Sequence, residues 1–274
     1  MKKVLKTRII SAVVALIILA AVILLFETPV LDVAVALLSV IATYEMINVV
    51  GLTKKKAFTT VCLVFAAFFS STYYRTFSSL GSFVDFVFAG VILIFVLTDK
   101  EEIKFNDAAV AFFAGMVLPK AFSLILLLRN YGSPICYFLV ILSLAVAWLN
   151  DTCAYFSGYF FGKRKLCPEI SPKKTVEGAI GGVFGDVILC CLLALLFSSI
   201  TGYAINWVSF VIFLPIGAIA SIFGDLCASV IKRQFGIKDY GKIMPGHGGV
   251  LDRFDSWLFV VPILYMWNIY FPFI

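Results

Sequence analysis

Charge is scarce in this chain: only 14% of its 274 residues are Asp, Glu, Lys or Arg, and histidine occurs once, as His247. With 62% hydrophobic residues, 28 Phe and a mean hydropathy of +1.05, it has too little polar surface to cover a core, which excludes an ordinary water-soluble globular domain. Paired cysteine spacing is also missing. The seven cysteines, at 62, 136, 153, 167, 190, 191 and 227, form no CxxC and mostly sit in apolar runs, so they read as small packing residues and not as disulfide partners or zinc ligands. No GxxxxGK[ST] sequence is present, which excludes a P-loop. No nucleic-acid module, internal repeat, linker or low-complexity tract is found, and no nucleic-acid partner is expected.

What the chain has in abundance is apolar runs close to the ~20 residues that cross a bilayer as helix. Nine are read, near Ile9–Phe26, Val30–Val50, Ala57–Tyr73, Phe83–Leu97, Ala108–Leu128, Pro134–Leu149, Gly178–Ser199, Trp207–Ile231 and Trp257–Tyr270. They predict an all-α integral membrane protein with nine transmembrane helices in a single polytopic domain over 1–274. Residues 1–149 are expected to be mainly helical scaffold and lipid-cavity region, and 150–256 to carry the active site. The basic start of the first run resembles a signal peptide, but no convincing small-residue cleavage site and no polar mature domain follow, so it reads as a retained first helix.

Lys and Arg collect in cytoplasmic loops, which fixes the expected orientation. A cytoplasmic N terminus puts Lys2, Lys3, Lys6, Arg8, Lys54, Lys55, Lys56, Lys100, Lys104, Lys163, Arg164, Lys165, Lys173, Lys174, Lys232, Arg233, Lys238, Lys242 and Arg253 on that side. This is every one of the 22 basic residues except Arg75, Lys120 and Arg129. The C terminus then lies outside. The formal charge of +6 is accounted for by these loops and suits an anionic lipid surface.

Two cytoplasmic joints are the longest. The first reads LNDTCAYFSGYFFGKRKLCPEISPKKTVEGAIGG, with Asn150 and Asp151 ending an apolar run. Ser171 and Pro172 are expected to open a helix with Lys173 and Lys174 in its first turn, where an anion would meet free backbone N–H groups and two ammonium groups. The alternative, that these lysines only anchor a helix at the lipid headgroups, stays open, and it is the preferred reading for Lys163 to Lys165.

The second joint reads SVIKRQFGIKDYGKIMPGHGGVLDRFDS, residues 229–256. Run eight, followed from Trp207 to Arg233, is ~40 Å of helix against a ~30 Å hydrocarbon core, so its last turns emerge. Asp225, Ser229, Lys232 and Arg233 share one helical face. An ion pair of Asp225 with Lys232 or another cation is the bland reading of that carboxylate. Asp252, Asp255 and Ser256 lie one turn apart at the start of run nine, where like charges repel unless a cation sits between them. Asp225 would complete a hard-oxygen site suited to magnesium. Lys232, Arg233, Lys238, Lys242 and Arg253, with Gly236, Gly241, Gly246, Gly248 and Gly249, add the cations and exposed amides of a polyphosphate site.

These residues resemble the C-terminal signature of the phosphatidate cytidylyltransferases, the CDP-diacylglycerol synthases. The signature is carried here by Ser229, Ile231, Lys232, Arg233, Lys238, Asp239, Gly241, Pro245, His247, Gly248, Gly249, Asp252, Arg253 and Asp255. Met244 stands where Leu, Ile or Phe is usual in that family. SPKKTVEG and the Asn150–Asp151 pair look like the family's central region, so the motifs cover roughly residues 150 to 256.

The resemblance implies coupling of CTP to phosphatidic acid with release of pyrophosphate. It also implies a nine-helix fold, often dimeric, and divalent magnesium with a monovalent cation near the aspartates; potassium is the candidate for the latter, and manganese is an alternative to magnesium. The candidate catalytic set is then Asp225, Asp252, Asp255, Lys232 and Arg233, the three aspartates being metal ligands. The candidate substrate-binding set is Asp151, Ser171, Lys173, Lys174, Lys238, His247, Gly248, Gly249 and Arg253.

The chemistry agrees. A phosphate monoester with a second pKa of ~6 is mostly dianionic at neutral pH, so no strong base is needed, and the obstacle is its repulsion from the triphosphate. His247 is therefore expected to bind a phosphate or shape its loop. Glu45 and Asp186, inside runs two and seven, line a lipid cavity or pair with an interior cation such as Lys120. The rivals are a CTP-dependent lipid kinase, which would release CDP, and a transporter, whose site belongs near the membrane midplane and not at one face.

Overall fold

The computed structural model describes residues 2–72, 78–99, 101–246 and 248–274, so Arg75, Lys100 and His247 lie outside the described residues. The elements in chain order are α1 (Lys2–Leu24), α2 (Pro29–Val49), α3 (Lys56–Thr72), α4 (Ser78–Thr98), α5 (Phe105–Phe112), α6 (Leu118–Leu127), α7 (Ile135–Phe161), β1 (Lys165–Cys167), β2 (Ser171–Thr175), α8 (Val176–Thr201), α9 (Trp207–Gln234), α10 (Leu251–Phe254) and α11 (Trp257–Tyr270). Among the described residues, six helical stretches are long and apolar enough to cross a membrane: Pro29–Val49, Gly81–Thr98, Phe105–Tyr131, Ile135–Phe161, Val176–Thr201 and Trp207–Gln234. Ile9–Leu24, Lys56–Ser70 and Trp257–Tyr270 are shorter apolar helices. The protein is an all-α integral membrane protein.

The chain forms two compact units. The first holds residues 1–127 together with 235–253. Its core gathers Phe26, Ile47, Phe58, Phe69, Phe88 and Phe122, all fully buried. Thr28 caps α2 by accepting the Val30 N–H at 3.3 Å, and Pro29 follows at the first helical position, where its missing donor costs nothing. Between α5 and α6 the helix widens by a π turn at Phe113–Val117, and Thr43 Oγ1 of α2 donates to the Ala114 carbonyl there at 2.7 Å. Lys120 pairs with Asp85.

The second unit holds 128–234 and 254–274. Here α7 and α8 approach closely because glycines line the contact: a Cβ on Gly178 would lie 2.8 Å from the Ala154 carbonyl oxygen, and one on Gly182 2.8 Å from Asn150 Oδ1. Asn150 crosses to α9, donating at 3.2 Å to both the Ala218 carbonyl and Ser221 Oγ. Trp257 Nε1 of α11 donates to Ser143 Oγ of α7 at 2.9 Å.

Two local expectations are corrected. Ser171 and Pro172 do not open a helix. Residues 171–175 form β2, antiparallel to β1, and α8 starts one turn later behind Thr175, whose Oγ1 accepts the Gly178 N–H at 3.1 Å. A strand wins because 165–167 supplies backbone partners that a local sequence pattern does not display. The helix expected to begin run nine is also two elements, α10 and α11, with a turn at Asp255 and Ser256 between them.

Candidate functional site

In the first unit, residues 235–246 and 248–250 form a loop almost without regular structure, joined by a bridge in which Met244 N–H donates to the Gly248 carbonyl at 3.0 Å. Gly246 and Gly248 have φ of 82° and 88°, a left-handed conformation that side chains with a Cβ rarely adopt. The loop is held by carboxylates. Asp252 Oδ2 accepts the Tyr240 N–H at 2.8 Å and the Gly249 N–H at 3.0 Å. Glu45, buried in α2, accepts the Val250 N–H on Oε1 at 3.0 Å and the Leu251 N–H on Oε2 at 2.8 Å. From α1, Ser11 Oγ donates to the Pro245 carbonyl at 3.0 Å.

Thus shaped, the loop encloses a pocket of about 600 Å³ lined by Lys238, Asp239, Gly241, Lys242, Met244, Pro245, Gly246, Gly248 and Arg253. Three cationic side chains on one concave wall, with glycine backbone that a phosphate oxygen can approach closely, suit an anionic ligand of triphosphate size.

In the second unit, carboxylates and lysines meet at the C-terminal end of α9. Asp225 is paired with Lys174 of β2 and accepts from Ser229 Oγ at 3.4 Å. Lys232 Nζ stands 3.9 Å from Asp255 Oδ2, and both residues are only 9% exposed. Ser256 binds both neighbouring acids: its N–H donates to Asp255 Oδ1 at 2.8 Å and its Oγ to Asp151 Oδ2 at 3.2 Å. Burial pushes the Asp255 carboxyl up to about 7; the charges of Asp225 and Asp151 add to the rise, while Lys232 and the Ser256 N–H oppose it. Arg233 reaches the hairpin, where its Nε donates to the Ile170 carbonyl at 3.2 Å.

Of the residues expected at the site, Lys238, Gly248 and Arg253 line the pocket, and Gly249 and Asp252 build its frame. Asp151, Lys174, Asp225, Lys232, Arg233 and Asp255 belong to the second unit's cluster, with Ser171 and Lys173 on its hairpin. Asp225 has Lys174 as an ion-pair partner. Among the described residues, no three acidic, histidine or cysteine side chains form a group that would hold a metal by themselves. Glu45 was missed as a loop residue. Among the described residues, Lys120 goes to Asp85, and Glu45 takes backbone N–H groups. Asp186 is buried in α8, accepting from Cys190 Sγ at 3.3 Å.

Membrane-crossing helices, a pocket walled by lysine, arginine and glycine backbone, and a half-buried set of aspartates define an integral membrane protein equipped to hold phosphate groups. Comparison with known proteins agrees with that class. The pattern of the Cytidylyltransferase family matches residues 6–271. Over 267 residues, 96% of this chain and 95% of the relative, the sequence is 33% identical to the phosphatidate cytidylyltransferase of Thermotoga maritima. It is 36% identical to that of Bacillus subtilis over 178 residues, 64% of this chain and 63% of that protein. It is 39% identical to that of Staphylococcus aureus strain COL over 178 residues, 64% of each. The chain belongs to the cytidylyltransferase family.

Proposed function

We propose that this chain is a phosphatidate cytidylyltransferase, transferring CMP from CTP to phosphatidic acid to give CDP-diacylglycerol and pyrophosphate. The observation that carries it is the pocket of Lys238, Lys242, Arg253 and glycine backbone in a chain of membrane-crossing helices, backed by family membership. The lipid phosphate, already dianionic, forms a new P–O bond to the α-phosphorus of CTP as the bond to the β-phosphate oxygen breaks, and pyrophosphate leaves with that electron pair. No proton need be removed from the nucleophile. Lys238, Lys242 and Arg253 line the pocket that would take the triphosphate, and Lys173, Lys174, Lys232 and Arg233 are the second unit's cations for phosphate charge.

Magnesium fits the donors present. Asp225 and Asp255 are hard oxygen ligands, and Asp255 is an acid whose ionised form is destabilised by burial and by its acidic neighbours, a strain that a cation relieves. Asp252, beside Gly248 and Gly249, offers an anionic oxygen to magnesium arriving with the triphosphate. Bound there, the ion, or manganese in its place, would neutralise phosphate charge. A monovalent cation such as potassium near the same aspartates, nine transmembrane helices, a homodimer, a cytoplasmic N terminus with the C terminus outside, and a bacterial inner-membrane location with the site facing the cytoplasm complete the proposal. Lys and Arg placement supports the orientation.

The test is incubation of the detergent-purified protein with labelled CTP, phosphatidic acid and magnesium. Lipid-soluble label appearing in step with pyrophosphate is expected. Release of CDP instead would identify a lipid kinase, and solute movement in sealed vesicles without CTP consumption a transporter.

A further inference from the structure

We propose that Glu45 is a positioning residue for the transfer, its two carboxylate oxygens fixing the glycine loop in the shape that walls the nucleotide pocket. This rests on the cytidylyltransferase reading given above. Glu45 is 2% exposed and lies 205 residues before Val250. Its oxygens accept one N–H each, from Val250 and Leu251, at the start of α10 where backbone donors have no partner within the helix.

The same carboxylate sets the residue type on both arms of the loop. A Cβ on Gly241 would come within 2.3 Å of Glu45 Oε1, and one on Gly249 within 2.4 Å, closer than real Cβ contacts allow. Glu45 therefore holds the loop by hydrogen bonds at 250 and 251 and packs directly against it at 241 and 249. Gly241 lines the pocket, and Gly249 is also held by Asp252, so releasing the grip loosens the pocket wall and the frame of Asp252 at once. A carboxylate in an apolar helix is costly, and here charge-assisted backbone bonds compensate it. A residue that merely filled the space could equally be Gln. Two N–H groups aimed at two oxygens need two acceptors, and Gln offers one acceptor and a second donor that opposes an N–H.

The decisive comparison uses the full-length purified protein and measures kcat/KM for CTP and hydrogen exchange of the loop amides. Glu45→Gln is expected to lower kcat/KM roughly ten- to a hundredfold, as loss of a buried charge-assisted bond does, with exchange at Val250 and Leu251 accelerated and thermal stability of the helices retained. Gly249→Ala is expected to be as damaging alone, yet to cost no more than about threefold further in a Glu45→Ala background, since the clash and its partner vanish together. The proposal is overturned by Glu45→Gln within twofold of wild type with unchanged exchange, or by Gly249→Ala costing the same in both backgrounds. Wild-type protein that forms no CDP-diacylglycerol sinks the functional reading instead, and the exchange measurement still decides whether Glu45 holds the loop.

Discussion

The hairpin of the second unit and the glycine loop of the first are both lysine-bearing polar joints, and each has a glutamate accepting backbone N–H groups, yet they are built in opposite ways. In the hairpin the strands pair with each other, Val176 N–H donates to the Arg164 carbonyl at 2.9 Å, and Glu177 accepts from Lys163 N–H at 3.0 Å and Arg164 N–H at 3.1 Å across only a few residues of chain. In the loop the described backbone pairs through the Met244–Gly248 bridge, and the shape comes from Glu45 and Asp252, one of them brought from a distant helix. A segment that satisfies its own backbone tolerates the loss of one side chain. A segment whose backbone is satisfied by two buried or half-buried carboxylates does not.

The sharpest way to stress this contrast is Asp252→Asn. The amide oxygen can still accept from Tyr240 and Gly249, so the loop keeps its frame while the negative charge is lost. If Asp252 serves magnesium, activity is expected to fall about a hundredfold or more, ~2.7 kcal/mol in the transition state, with the protein folded and membrane-inserted. Wild-type turnover at saturating magnesium would restrict Asp252 to loop building. Next in size is Lys174→Ala on the hairpin, where removing the partner of Asp225 is expected to cost ten- to a hundredfold in kcat/KM at unchanged thermal stability. Lys173→Ala, an exposed neighbour in the same strand, is expected to cost less. Equal losses for the two, measured side by side, would remove the special place of the Lys174–Asp225 pair.

Much of this is legible in the sequence for a physical reason. Apolar run length is a local pattern, and so is the signature from Ser229 to Asp255, which brings Lys238, Gly248, Gly249, Asp252 and Arg253 together without reference to any distant residue. The hairpin was not legible, because Pro172 followed by two lysines fits a helix start equally well and only pairing with 165–167 decides otherwise. Glu45 was legible only as an ionisable residue in an apolar run, which demands a partner. Charge pairing alone predicts a cation, whereas the partners are backbone N–H groups, which leave no mark in a sequence.

A smaller effect concerns Asp255. Its carboxyl is held up to about 7 in the fold, against ~3.9 when unfolded, so the folded chain binds the extra proton between those values. Its contribution to stability is complete below pH ~3.9 and is lost as pH rises through about 7. In chelator, melting temperature is expected to drop by a few degrees between pH 5 and pH 8, and the drop should flatten in Asp255→Asn. Magnesium added at pH 8 should restore stability to the wild type alone. A melting temperature independent of pH in that window, with Asp255→Asn behaving identically, would remove Asp255 as the titrating group.

The smallest effect is expected at Glu177, the hairpin's counterpart of Glu45. The two residues make the same kind of bond, a carboxylate oxygen accepting backbone N–H groups, so a difference between Glu177→Gln and Glu45→Gln isolates context from chemistry. At Glu177 the bonds are exposed and span 13 or 14 residues, water can replace either one, and the strand pairing persists without them. At Glu45 the bonds are buried, no water can substitute, and Gly241 and Gly249 stand against the carboxylate itself. Glu177→Gln is therefore expected to keep kcat/KM for CTP within twofold of wild type and to leave the exchange of residues 240–251 unchanged. Should it match Glu45→Gln in either measurement, burial and sequence distance would not be what separates the two joints, and the fragility assigned to the glycine loop would belong to any carboxylate that holds backbone in this protein.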